Sequence, residues 1–116
     1  MDRRDRIILQ KVLSEIAIAQ EMMADCTLEQ FISSQMLMRA VGMTVINIGE
    51  LVKNLTEETR LRHAQIPWKA IAGFRDIAAH KYQTLRMEDV YETVSSDFPE
   101  LKRQIEQILD ISANKI

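Results

Sequence analysis

The stretch 73–82, Gly-Phe-Arg-Asp-Ile-Ala-Ala-His-Lys-Tyr, gathers Arg75, Asp76, His80, Lys81 and Tyr82 into one short run. Arginine presents a rigid fork of donors that suits a phosphate, and histidine exchanges a proton near neutral pH. Side by side they could do acid–base chemistry on a phosphate ester. Asp76 and His80 are four apart, so on a helix they share a face; the carboxylate could accept an imidazole N–H, orienting the ring and favouring its protonated form. Arg75 precedes His80 by five residues, about 140° around an ideal helix, so these two converge only where the helix finishes. A plain helix end, whose histidine meets the last carbonyls, fits the same spacing.

The surroundings of this run are basic. Between Arg60 and Arg86 stand Arg60, Arg62, Lys69, Arg75, Lys81 and Arg86 against one acid, Asp76, whereas the rest of the chain carries nine bases and sixteen acids. A basic segment in an otherwise acidic molecule suits an anion, a phosphate or a nucleic acid. Ordinary solvated side chains account for the charge equally well.

The elements that must hold these residues read as helices. Ile8, Val12, Ile16, Ala19 and Met23 recur at steps of three and four, which predicts a helix over about 5–24. Thr27 with Gln30 resembles a capping box for a short helix through Phe31. A long helix follows over about 34–55, apolar nearly all round: Leu37, Val41, Val45, Ile48 and Val52 lie on one side, Met36, Ala40 and Met43 on another. It should be central, or shared with a second subunit. Its polar exception is the row Arg39, Asn47, Glu50 and Asn54, a pattern that an exposed stripe explains as readily as a functional one.

Thr56 can cap one or two turns, and Pro67 opens a new helix because proline tolerates the first turn. That helix packs through Trp68, Ile71 and Phe74 with Ile77 or Ala78, and ends near Ala79 or His80. Val90 and Val94 mark a further piece from about Met87. Asp97 and Pro99 restart the chain into a final helix carrying Leu101, Ile105, Ile108 and Leu109. The expectation is a single all-α domain over 1–116, an antiparallel bundle of about five helices.

Counting removes other classes. The chain has 116 residues, 47% of them hydrophobic and 28% charged, enough for one core without staples. Three Gly and two Pro leave little for a many-turned β architecture. One cysteine, Cys26, cannot pair within the chain, and with two histidines no usual Cys/His zinc site can be assembled, so neither a metal nor a cofactor is expected. After the charged run Asp2–Arg6, Ile7-Ile8-Leu9 is too short an apolar stretch for a signal peptide. The ten uncharged residues between Arg39 and Glu50 fall short of the ~18–20 that a membrane span requires. A reducing, cytoplasmic setting is expected.

The pattern Arg75, four residues, His80, one residue, Tyr82 resembles the R-x-x-x-x-H-x-Y signature of the HepT-like branch of the HEPN ribonucleases, the toxin half of HepT/MntA-type toxin–antitoxin pairs. Ile48-Gly49-Glu50, Ile66-Pro67-Trp68, Gly73-Phe74-Arg75 and Phe98-Pro99-Glu100-Leu101 are similar to the family in the same order. The resemblance implies a HEPN-like helical bundle that dimerises and a metal-independent endoribonuclease with its arginine and histidine at the dimer cleft. Arg75 would stabilise the scissile phosphate, His80 would act as acid or base, and Glu50 and Lys81 are candidate supporting groups. Tyr82 would be the tyrosine that a MntA-type nucleotidyltransferase antitoxin adenylylates. The chain departs from the pattern at Asp76, where Asn is common, and at Gln83-Thr84-Leu85-Arg86, where an aromatic-Gly-x-Asp run often follows the tyrosine.

The chemistry adds a constraint. RNA cleavage without a metal needs a base for the 2′-hydroxyl, a charge stabiliser for the phosphorane and an acid for the leaving oxygen. One chain offers His80 alone in the motif, since His63 lies in a separate short segment and reads as a surface residue. Two copies of His80 across a symmetric dimer would fill both roles. The competing reading is a non-catalytic helical module of the same fold that binds a partner protein or RNA.

Overall fold

A computed structural model describes residues 1–80 and 85–113, with side chains through Leu109. The described residues form helices α1 (Arg3–Met22), α2 (Leu28–Ile32), α3 (Gln35–Lys53), α4 (Glu57–Arg62), α5 (Trp68–His80), α6 (Met87–Glu92) and α7 (Phe98–Ala113). A π-helical turn, Thr93–Asp97, joins α6 to α7 without a break. Counted with that junction as one bent helix, the bundle has six helices among the described residues. None is long and apolar enough to cross a membrane.

The local signals act where their chemistry predicts, with small shifts at the ends. α1 starts two residues before its apolar stripe suggests, because the Asp2 carboxylate accepts the Asp5 N–H at 2.7 Å and caps the helix. The Thr27–Gln30 capping box is complete, with Thr27 N–H to Gln30 Oε1 at 2.9 Å and Gln30 N–H to Thr27 Oγ1 at 3.1 Å. Ser34 and Thr56 cap α3 and α4 from one side, accepting the Leu37 and Thr59 N–H groups. Pro67 precedes α5, and its carbonyl accepts the Ile71 N–H at 3.1 Å.

Pro99 is the exception. The sequence reads it as a restart, yet it sits inside a continuous helical path. Phe98 N–H reaches back five residues to the Thr93 carbonyl, so the backbone is already in π register where the proline enters. A proline in a helix forfeits its own N–H bond and crowds the carbonyl four residues back. The π turn moves that bonding pattern and lets the helix run on.

α1 and α3 run antiparallel: Asp5 near the start of α1 bonds Thr56 just past α3, while Glu15 at mid-α1 accepts from Asn47 of α3 at 2.8 Å. Leu9, Val12, Ile16 and Ala19 of α1 and Val41, Ile48 and Val52 of α3 are buried with Phe31, Val90 and Ile105 in one core. Each of these larger than alanine contributes about 1.5–3 kcal/mol on leaving water. The second apolar face of α3 stays in solvent, with Met36 84% and Met43 55% exposed.

α5 packs on α3. Trp68 and Ala78 are its buried anchors, and Trp68 Nε1–H donates to the His63 carbonyl at 3.0 Å. Ala78 takes the inward position, whereas Ile77 is exposed. Ile71 and Phe74 are half-buried, since they line a groove of about 380 Å³ that α3, α5 and the start of α7 leave open.

Candidate active site

Arg75 is placed by a glycine. On α3, Gly49 lies so close to α5 that a Cβ built on it would sit 2.0 Å from Arg75 Cβ and 2.7 Å from Arg75 Cγ. The missing methyl lets the two helices touch where the arginine leaves its backbone. From that crossing the guanidinium turns along α3. Nη2 meets Glu50 Oε2 at 3.1 Å, and Nη1 meets Asp76 Oδ1 at 3.1 Å. The side chain is 21% exposed, and its Nε is buried with no hydrogen-bond partner among the described residues.

Lys53, one turn beyond Glu50 on α3, places Nζ 3.5 Å from the same Asp76 Oδ1. Two carboxylates and two cations therefore alternate across the α3–α5 seam as Glu50, Arg75, Asp76, Lys53. The Arg75 hydrogen bond, together with the charge and hydrogen bond of Lys53, outweighs the opposing desolvation and holds the Asp76 carboxyl below the usual carboxylate range.

His80 is the last residue of α5 and is exposed. Because α5 stays helical through it, Arg75 and His80 point about 140° apart within one chain. Asp76 was expected to orient His80. Its contacts among the described residues go to Arg75 and Lys53 instead, because the α3 cation lies close enough to draw the carboxylate toward the seam. Lys81 and Tyr82 lie outside the described residues. Glu50, placed in a supporting role, touches Arg75 directly. Lys53 escaped the sequence reading: its partner Asp76 is 23 residues away and no motif links them.

The two asparagines of the α3 polar row bond within the chain. Asn47 binds Glu15, and Asn54 Nδ2–H donates to the Glu50 carbonyl at 2.8 Å. His63 caps the end of α4, half-buried; burial, then the nearby Arg62 and N-terminal charges, lower its pKa. A buried carboxylate, Asp5, was missed. Asp5 accepts from Thr56 Oγ1 and Thr59 Oγ1 at 2.5 Å each and from Thr56 N–H at 3.1 Å, tying the start of α1 to the cap of α4. Among the described residues no three His, Cys, Asp or Glu side chains converge as a metal ion would need.

Comparison with known proteins places this geometry in a family. Residues 12–108 match the family model described as "Ribonuclease HepT-like". A candidate RNase of Caldanaerobacter subterraneus subsp. tengcongensis is 36% identical over 104 residues, covering 90% of this chain and 93% of that one. A candidate RNase of Methanocaldococcus jannaschii is 32% identical over 110 residues, covering 94% and 95%. A protein of Thermococcus cleftensis named "Probable ribonuclease HepT" is 28% identical over 108 residues, covering 93% and 98%. No solved structure matches. The chain belongs to the HepT-like ribonuclease family.

Proposed function

We propose that this chain is a metal-independent endoribonuclease that works as a homodimer and is silenced when a MntA-type nucleotidyltransferase antitoxin adenylylates Tyr82. The observation that carries the reading is Arg75, a half-shielded guanidinium fixed by Gly49 and Glu50 at the motif position of a HepT-like ribonuclease. A guanidinium held in place before substrate arrives loses little order on meeting a phosphorane, which is what electrostatic catalysis demands.

On this reading one His80 takes the 2′-hydroxyl proton, and O2′ attacks phosphorus while Arg75 stabilises the charge on the non-bridging oxygens. The P–O5′ bond then breaks, and the His80 of the second subunit protonates the departing O5′, leaving a 2′,3′-cyclic phosphate and a 5′-hydroxyl. The divergence of Arg75 and His80 within one α5 supports a site completed by a second copy. So does the apolar surface left in water, where Ile18 and Ile77 are 45% and 47% exposed besides Met36 and Met43. A cytoplasmic setting, where RNA is at hand, belongs to the same proposal.

The test is cleavage of an RNA oligonucleotide beside the same strand with 2′-deoxyribose throughout. Cleavage of the RNA alone, with cyclic phosphate ends, supports the reading; equal cutting of both strands contradicts it. One observation favours the other reading, a non-catalytic module binding a partner protein or RNA: both Nη groups of Arg75 are held by carboxylates of the same chain. A protein that binds RNA and leaves it intact would decide for that reading.

A further inference from the structure

Both Nη groups of Arg75 already meet carboxylates within the chain. Nε is buried, so a phosphate can reach only Nη1 and Nη2, and these are held by Asp76 and Glu50. A phosphodiester that engages both Nη groups therefore competes with these carboxylates for the same charge, and the two carboxylates differ in what they would lose. Among the described residues no second cation pairs with Glu50. Asp76 already shares its Oδ1 between Arg75 and Lys53, so leaving Arg75 keeps its charge compensated.

The contact of Asp76 with Arg75 joins neighbours in the chain. Adjacent residues on a helix do not face each other, so a contact from 75 to 76 requires the arginine to curl back along its own helix. Asp76 and Glu50 are alike in exposure, at 51% and 53%, and such single-point pairs are worth little, so what sets Asp76 apart is its second partner, Lys53.

We propose that Asp76 is a substrate-displaced latch on Arg75: in the free protein it fills the Nη1 position that the RNA phosphate takes, and Lys53 receives it when the phosphate arrives. Asp76 thus sets affinity by competing with substrate, and Lys53 is the positioning residue that makes the exchange cheap. The inference rests on the proposed phosphate-binding role of Arg75.

The experiment is a double-mutant cycle on binding, using the full chain and a 2′-O-methyl RNA oligonucleotide, which cannot be cleaved, followed by fluorescence anisotropy. D76N removes the competing charge and should tighten binding about three- to tenfold. K53M leaves Asp76 with Arg75 alone and should weaken binding by a similar factor, while in the D76N background the same change should cost clearly less. That difference separates the latch from simple loss of a basic residue, which would cost the same in both backgrounds. Circular dichroism and thermal melts of all four proteins show that each is folded.

Unchanged or weaker binding by D76N, or a K53M penalty equal in the two backgrounds, overturns the latch. So does failure of both wild type and D76N to bind. If the cycle comes out as stated while RNA is never cut, the latch stands and the nuclease reading falls. If RNA is cut and the cycle is flat, the nuclease reading stands and the latch falls.

Discussion

Gly49 and Arg75 are in contact through the atoms nearest their backbones, so the arginine's position is set by the crossing of α3 and α5 and not by its own flexible arm. A Gly49→Ala methyl would collide with Arg75 Cβ, which cannot swing aside as a chain tip can. The helices must separate, at about 1–3 kcal/mol, and the guanidinium must move with them. Urea denaturation should show that loss, and RNA cleavage should fall with it. Gly73 supplies the control: a Cβ there meets nothing within 4 Å, so Gly73→Ala in α5 should be neutral or stabilising by up to ~1 kcal/mol. Equal behaviour of the two variants would contradict this role for Gly49.

Asp5 predicts a pH dependence of stability. Burial pushes its carboxyl up, but hydrogen bonds from Thr56 and Thr59, with the Arg4 charge, outweigh that and leave the pKa below the ordinary 3.8. A carboxyl depressed by folding stabilises fully above its unfolded pKa and loses that contribution as pH falls through its folded pKa. The stability gap between wild type and Asp5→Asn should therefore be flat from about pH 7 to 5 and narrow below about pH 4. Asp5→Ala, which strands the Thr56 and Thr59 donors, should cost about 2–4 kcal/mol near neutrality. A gap that widens on acidification would contradict the assignment.

Much of the frame was legible before the structure. The apolar stripe of α1, the Thr27–Gln30 box, the Thr56 cap and the proline ahead of α5 all act through neighbours three or four residues away, which is the range over which helix signals operate. What stayed hidden runs over longer range or against a local rule. Asp5 meets partners 51 and 54 residues on, in a charged N-terminal run that looks like plain surface. Lys53 meets Asp76 across the α3–α5 seam, and this is what turned Asp76 from His80 toward Arg75. Pro99 misled because a π turn carries no simple sequence signature. Arg75 and His80 could be picked out by type and resemblance, but their divergence required knowing that α5 stays helical to its last described residue.

The exposed face of α3 predicts assembly. Sedimentation equilibrium at micromolar concentration should return a dimer for wild type. Met43→Glu, at a position 55% exposed in the single chain, should fold normally yet shift the equilibrium toward monomer and lower cleavage with it. A wild-type monomer would remove the two-histidine scheme.

Tyr82 predicts covalent control. With a cognate nucleotidyltransferase and ATP, intact mass should rise in adenylyl steps mapping to Tyr82, and cleavage should fall in proportion, since each step adds a negative phosphodiester next in sequence to Lys81 and two residues past His80. Tyr82→Phe should stay largely active and escape modification. Loss of cleavage by a folded Tyr82→Phe protein would assign the phenol to the chemistry itself.

The most direct test of the proposed activity is RNA cleavage by the purified protein in EDTA, run beside Arg75→Ala and His80→Ala with helicity checked for each. Wild type should cut and leave 2′,3′-cyclic phosphate ends, and each variant should lose on the order of 10²-fold or more in rate. Cleavage that vanishes with the chelator, or that survives undiminished in a folded Arg75→Ala protein, would contradict a metal-independent nuclease built on this arginine.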